Sequence, residues 1–127
     1  MQASLRPSNP VFSEAKHLEY QLTGSGLRVE CLLNSKMESF FAGERGAALF
    51  RTTAGDFEVL FLAGGRSFDS LVIHKYETSG RYVYSFEGTP RAQSSIDSSI
   101  PTYFVKRGNQ LFIVTSAKLA ENLGHLS

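Results

Sequence analysis

The sequence predicts a mainly β protein, in which one antiparallel β-meander forms a small barrel or a curled roll. Six runs rich in apolar, β-branched or aromatic residues lie between residues 48 and 116. Most of these runs are separated by short connections that contain Gly, Ser or Asn. Connections this short join antiparallel neighbours, because a parallel crossover needs about a dozen residues.

The length, net charge and cysteine count of the chain limit the kinds of protein that it can be. Its 127 residues suffice for one domain with its own core. A formal net charge of +1 lacks the strongly basic balance of a nucleic-acid-binding protein, so we expect no nucleic-acid partner. No apolar run approaches the roughly 20 residues that cross a bilayer, so we expect no membrane partner. The single cysteine and the absence of a signal-peptide pattern predict a cytoplasmic protein.

The N-terminal residues differ in composition from the rest. Residues 1–12 contain Pro7 and Pro10 among small polar residues, which is typical of an extended arm. No internal repeat or linker divides the remainder. We therefore assign 13–127 to a single β-rich domain.

The segment 17–33 fits two structures. Apolar and polar residues alternate in "HLEYQLT" and again in "LRVECLL", and "TGSG" between them is suited to a turn, so a β-hairpin is the simpler interpretation. In the competing interpretation, Ser13 caps a helix with one apolar face. That face would carry Val11, Ala15, Leu18 and Leu22. We favour the hairpin.

Two further segments have helical signals. Ser35 and Glu38 have the spacing of a capping box, which predicts a short helix near 35–43. The C-terminal "SAKLAENLG" predicts a short helix with Ser116 as its N-cap. Helices at both 13–23 and 35–47 would favour an α+β alternative, a curved antiparallel sheet backed by N-terminal helices.

The run "FDSLVIHKYETSGRYVYSF" predicts a β-hairpin with two possible registers. A two-residue turn at Ser79-Gly80 pairs Thr78 with Arg81, whereas a three-residue loop pairs Glu77 with Arg81. We favour the three-residue loop, because it opposes unlike charges and gathers aromatic residues on one face. That face would carry Val72, His74, Tyr76, Tyr82, Tyr84 and Phe86.

Several predicted strands are apolar on both faces and need cover on both. Residues 56–63 alternate Phe57, Val59 and Phe61 with Leu60 and Leu62. A Gly108-Asn109 turn likewise places apolar pairs on both sides of the 102–116 hairpin. A closed barrel, backing helices or a second copy of the chain could supply the cover, and we expect a homodimer.

The aromatic residues predict a binding function. A tyrosine ring offers a flat apolar surface and a hydroxyl, and a histidine can exchange a proton near neutral pH. We predict non-enzymatic binding of a small apolar or aromatic ligand, with the loop 88–101 as a lid. The predicted ligand-binding residues are His74, Tyr76, Tyr82, Tyr84 and Tyr103.

Two alternatives belong to other functional classes. One is a homodimeric protein–protein interaction module without a pocket. The other is a cofactor-free enzyme in which His74 acts with a tyrosine and needs a carboxylate such as Glu58 or Glu87.

We expect neither a metal nor a cofactor. The three histidines and Cys31 are not closely spaced, and the glycines form neither a phosphate-binding loop nor a dinucleotide fingerprint.

Overall fold

The computed structural model describes residues 4–37, 40–88 and 95–126. In chain order, its elements are α1 (Phe12–Gly24), β1 (Val29–Asn34), β2 (Glu44–Thr52), β3 (Gly55–Leu62), β4 (Val72–Thr78), β5 (Arg81–Glu87), β6 (Ile96–Ser98), β7 (Tyr103–Arg107), β8 (Gln110–Val114) and α2 (Ala117–Gly124). The prediction of a mainly β chain with a short C-terminal helix is confirmed.

The strands form two antiparallel sheets. The large sheet has the order β1-β2-β3-β8-β7, and the small sheet has the order β4-β5-β6. The predicted closed barrel is not found among the described residues. The reason lies in the pairing of β3, whose second edge is taken by β8. The strand β4, which follows β3 in the chain, pairs with β5 and with no other strand of the described ranges.

Both faces of the large sheet are covered by the same chain. Phe57, Val59 and Phe61 of β3 pack in one core with buried side chains of α1 and α2. Leu60 and Leu62 project to the other face and pack in a second core with residues of the small sheet. The alternation predicted from the sequence is thus correct, and the molecule has three layers: helices, large sheet and small sheet.

The segment predicted to be the first strand of a hairpin is the helix α1. Val11, Ala15, Leu18 and Leu22 are all at most 1% exposed. Residues at this spacing share one side of a helix, and that side covers the large sheet. The hairpin prediction for 17–33 is wrong. Its second half is a strand, β1, but it pairs with β2.

The helix α1 begins differently from the competing interpretation. Val11 is its N-cap residue, so Ser13 already lies inside the helix. The N–H of Val11 donates instead to Oδ1 of Asn9, at 3.0 Å. Upstream, the N–H of Leu5 donates to the carbonyl of Leu32 of β1, at 3.0 Å.

The helix predicted near 35–43 is not present in its described residues, which are 35–37 and 40–43. They form turns, and Glu38 lies outside the described ranges. The carboxylate of Glu44 accepts the N–H groups of Phe40 (3.0 Å) and Phe41 (3.3 Å), which turns the chain into β2.

The C-terminal hairpin follows the sequence prediction. β7 and β8 pair around Gly108-Asn109, with Val105 opposite Phe112 and Lys106 opposite Leu111. Ser116 caps α2, because its Oγ accepts the N–H of Leu119 at 3.2 Å. In the described parts of the chain, neither helix has the length and apolar character needed to cross a membrane.

Candidate functional site

The β4–β5 hairpin has a two-residue turn. Thr78 pairs with Arg81, and the turn residues Ser79 and Gly80 have φ values of 49° and 75°. Two successive positive φ values are typical of the hairpin turns whose twist matches that of the strands. The favoured register with a three-residue loop is therefore wrong. The shift by one residue changes which side chains share a face.

In the observed register, the predicted ligand-binding residues of this hairpin divide between two faces. His74 and Tyr76 lie on the outer face of the small sheet, whereas Tyr82 and Tyr84 lie on the inner face. Tyr76 is 58% exposed. Nε2 of His74 lies 3.5 Å from Oε2 of Glu87, one of the two carboxylates considered from the sequence.

Tyr84 is held by neighbours on two sides. Its side chain is buried, and its hydroxyl accepts the backbone N–H of Thr102 at 2.8 Å. Its ring makes an edge-on contact with the ring of Phe104 at 5.2 Å. Tyr82, two residues earlier on β5, is half-buried, and Nζ of Lys75 lies 5.2 Å from the centre of its ring.

Tyr103 lies in the other sheet. It belongs to β7 and pairs with Val114, whose side chain packs on the helical face. Phe104 projects to the opposite face and takes the place beside Tyr84 that the sequence suggested for Tyr103. The five predicted residues do not line one pocket, and a ligand-binding role for them stays a prediction.

A groove of about 370 Å³ lies between β6 and the adjacent face of the large sheet. The strand β6 occupies part of the loop predicted as a lid; residues 89–94 of that loop lie outside the described ranges. The apolar lining of the groove includes Met37, Leu49, Ile96 and Ile113. Its polar lining is Asp56, Glu58, Asp97, Ser98, Thr102 and Thr115.

Glu58 places a carboxylate within an apolar row of the large sheet. It lies on β3, the central strand, between Leu49 of β2 and Ile113 of β8. Its Oε1 accepts the hydroxyl of Ser35 at 2.9 Å and the N–H of Lys36 at 3.4 Å. These two bonds join the connection after β1 to the middle of the sheet.

The carboxylates of the groove differ in their partners. Asp56 lies 3.5 Å from Nε of Arg51, and Asp97 lies 2.7 Å from Nε of Arg81. Within residues 4–37, 40–88 and 95–126, no basic side chain forms an ion pair with Glu58. Glu58 therefore contributes a negative charge that no arginine or lysine of these ranges neutralises at close range.

The sequence contains a signal for Glu58 in the pattern of its own strand. Glu58 shares a face with Leu60 and Leu62, in a strand predicted to be apolar on both faces, so it interrupts an inward apolar row with a charge. The sequence also offers Glu58 as a carboxylate for His74. The structure places His74 on the outer face of the small sheet, away from Glu58.

A second concavity lies at the end of the β7–β8 hairpin. The basic side chains of Lys106 and Arg107 in its lining already form contacts with backbone carbonyls. Nζ of Lys106 donates to the carbonyl of Leu71 at 2.8 Å. Nη1 of Arg107 lies 3.3 Å from the carbonyl of Leu123, at the C-terminal end of α2. Both cations thus satisfy backbone carbonyls of their own chain.

Among the residues that the structure describes, no group of three His, Cys, Asp or Glu side chains is arranged to hold a metal ion. No protein-family model, no curated protein and no solved structure matches the chain. The chemistry of the groove between the sheets is therefore the basis on which a function can be argued.

Proposed function

We propose that this protein binds a small molecule in the groove between its two sheets and does not transform it. The ligand has an apolar or aromatic body and a cationic, hydrogen-bond-donating end. The observation that carries the proposal is the carboxylate of Glu58, set in an apolar row on the central strand of the large sheet.

The position of Glu58 supports a ligand with a positive end. A carboxylate among apolar neighbours is unfavourable unless hydrogen bonds or an opposite charge compensate it. Ser35 and Lys36 both donate to Oε1. An ionised carboxylate accepts about four hydrogen bonds in total, so a ligand ammonium group at Oε2 would add a charge-assisted bond.

The remaining lining suits an apolar body. Met37, Leu49 and Ile113 offer apolar surface in the lining of the groove. A volume of about 370 Å³ lies in the range of small-molecule pockets. The flexible thioether of Met37 can adjust to differently shaped rings or chains.

The His74–Glu87 pair takes no part in the proposed binding. It lies on the outer face of the small sheet, whereas the groove opens beside β6 on the inner side. A ligand in the groove is out of reach of this imidazole, because proton transfer needs hydrogen-bond distance.

The proposal can be tested with three probes of similar size: phenethylamine, phenethyl alcohol and phenylacetate. In an NMR titration, we expect phenethylamine to bind most tightly and to shift the backbone resonances of Leu49, Glu58 and Ile113. Glu58→Gln keeps the shape and the acceptor for Ser35 but removes the charge, so it should weaken phenethylamine binding about tenfold.

Glu87→Gln is the matched control, because it makes the same chemical change on the outer face of the small sheet. Phenethylamine affinity should be unchanged in this variant. Equal affinity for the three probes, or equal binding by wild type and Glu58→Gln, would refute the proposed ligand chemistry.

A further inference from the structure

The strand β4 has an open edge, on the side away from β5, with which no strand of the described ranges pairs. This edge differs from the other strand edges. It is seven residues long, and its pairing with β5 has no bulge. On the edge of β1, Ser4 forms a bridge with Leu33, and a bulge interrupts the pairing with β2. The edge strand β6 has three residues, and β7 ends in Lys106 and Arg107.

Short edge strands, bulges, consecutive charges and covering segments are the ways in which proteins prevent strands from pairing between molecules. β1, β6 and β7 each have at least one of them. β4 is long and regular, and its one lysine, Lys75, has an acidic neighbour in Glu77 at 3.3 Å. The side chains of Tyr76 and Val72 on this strand are 58% and 47% exposed. This edge is therefore the one best suited to accept another strand.

The hairpin register determines which backbone groups point outward. Thr78 and Arg81 flank a two-residue turn and form a hydrogen-bonded pair, and hydrogen-bonded and non-hydrogen-bonded pairs then alternate along the ladder. The N–H and C=O groups of Ile73, Lys75 and Glu77 consequently point away from β5, to the open edge.

We propose that a second copy of this chain pairs with this edge, β4 against β4 in antiparallel orientation, with the two-fold axis at Tyr76. In this register, Lys75 lies opposite Glu77 of the second copy, and Glu77 lies opposite Lys75 of the second copy. Their outward N–H and C=O groups meet in hydrogen-bonded pairs, and the small sheets join into one continuous sheet.

Charge selects this register over its neighbours. In a symmetric antiparallel pair, the two-fold axis lies at the one residue of β4 that is opposite its own copy. The neighbouring registers place this axis one residue earlier or later on the strand. An axis at Lys75 opposes two lysines, and an axis at Glu77 opposes two glutamates, both of which are unfavourable. An axis at Tyr76 opposes unlike charges on both sides and stacks the two tyrosines. A hydrogen bond to Glu77 raises the pKa of Lys75, so the lysine is charged at neutral pH.

The interface is small, since one short strand from each copy forms its centre. We expect a reversible dimer with a dissociation constant on the order of 100 µM, rather than an obligate one. Wild-type protein in sedimentation equilibrium should therefore pass from monomer to dimer as concentration increases through that value.

Charge reversal tests the register. Glu77→Lys places lysines opposite each other and should weaken the dimer at least about tenfold. The double variant Lys75→Glu/Glu77→Lys restores unlike pairs and should return the dissociation constant to the wild-type range. Glu121→Lys on α2 makes the same change in net charge at an exposed position away from β4, and should leave it unchanged.

Hydrogen exchange supplies an independent readout. The amides of Lys75 and Glu77 should become more protected at high concentration, whereas that of Tyr76, already directed to β5, should change little. A monomer at all concentrations, or a dimer indifferent to Glu77→Lys, would overturn the proposal. Failure of the double variant to restore the dimer would overturn the register.

Discussion

The hydroxyl of Tyr84 accepts the backbone N–H of Thr102 inside the interface between the two sheets. In Tyr84→Phe this buried donor loses its partner, and we expect the free energy of unfolding to fall by about 1–3 kcal/mol. Chemical denaturation measures the change. Tyr76→Phe removes the same hydroxyl from an exposed side chain and should have little effect. Equal losses in the two variants would contradict this role for Tyr84.

The positions of individual tyrosine side chains could not be predicted from the sequence. The sequence identified Tyr84 as a notable residue, but its partner Thr102 is distant in the chain, and no local pattern links them. The face on which Tyr84 lies depends on a single turn. The two-residue turn forms although Ser79, which is not a glycine, adopts a positive φ in it, and although the other register would oppose the charges of Glu77 and Arg81.

Among the elements, α1 shares with α2 the cover on one face of the large sheet, through an apolar side that includes Leu18. Leu18→Ala removes buried contacts and should lower the free energy of unfolding by about 2–5 kcal/mol. Tyr20→Ala on the same helix changes a side chain that is 78% exposed and should alter it by less than about 0.5 kcal/mol. Denaturant melts of both variants provide the comparison. A larger loss for Tyr20→Ala would contradict the helix orientation.

The elements differed in how far the sequence determined them. The β7–β8 hairpin was predicted with its register, because the Gly108-Asn109 turn and strong alternation on both sides agree. In α1, Leu18 and Leu22 satisfy both a strand and a helix pattern. The choice between strand and helix depends on Val11 and Ala15, which extend the apolar side of the helix. It also depends on the face of the large sheet that this side covers, and that is a tertiary property.

At the scale of the whole molecule, the two sheets differ in cover. The large sheet lies between two layers, whereas neither core cluster of the described residues covers the outer face of the small sheet. We expect the amides of β3 to exchange with solvent only through global unfolding, and those of β5 to exchange through a partial opening of lower free energy. Native-state hydrogen exchange at increasing denaturant separates these cases. Equal protection of β3 and β5 would show that the layers unfold as one unit.

The division of the strands into two sheets was also not predicted from the sequence. β4 and β8 both carry the apolar alternation that pairing with β3 requires, and no local signal decides between them. The groove follows from that division, because it lies where β6 meets the face of the large sheet beside Glu58. Sequence alone therefore predicted the class of the fold and many of its strands, but not the surface that carries the proposed function.

The central position of β8 has a consequence for synthesis on the ribosome. β8 follows β4, β5, β6 and β7 in the chain, yet it lies between β3 and β7, and Phe57 of β3 pairs with Val114 of β8. At roughly 5–20 residues per second, the nascent chain carries an unpaired β3 edge for several seconds before β8 emerges. During that interval the apolar side chains of β3 are available to chaperones and to neighbouring nascent chains, so the yield of folded protein should depend on how fast residues 63–114 are translated.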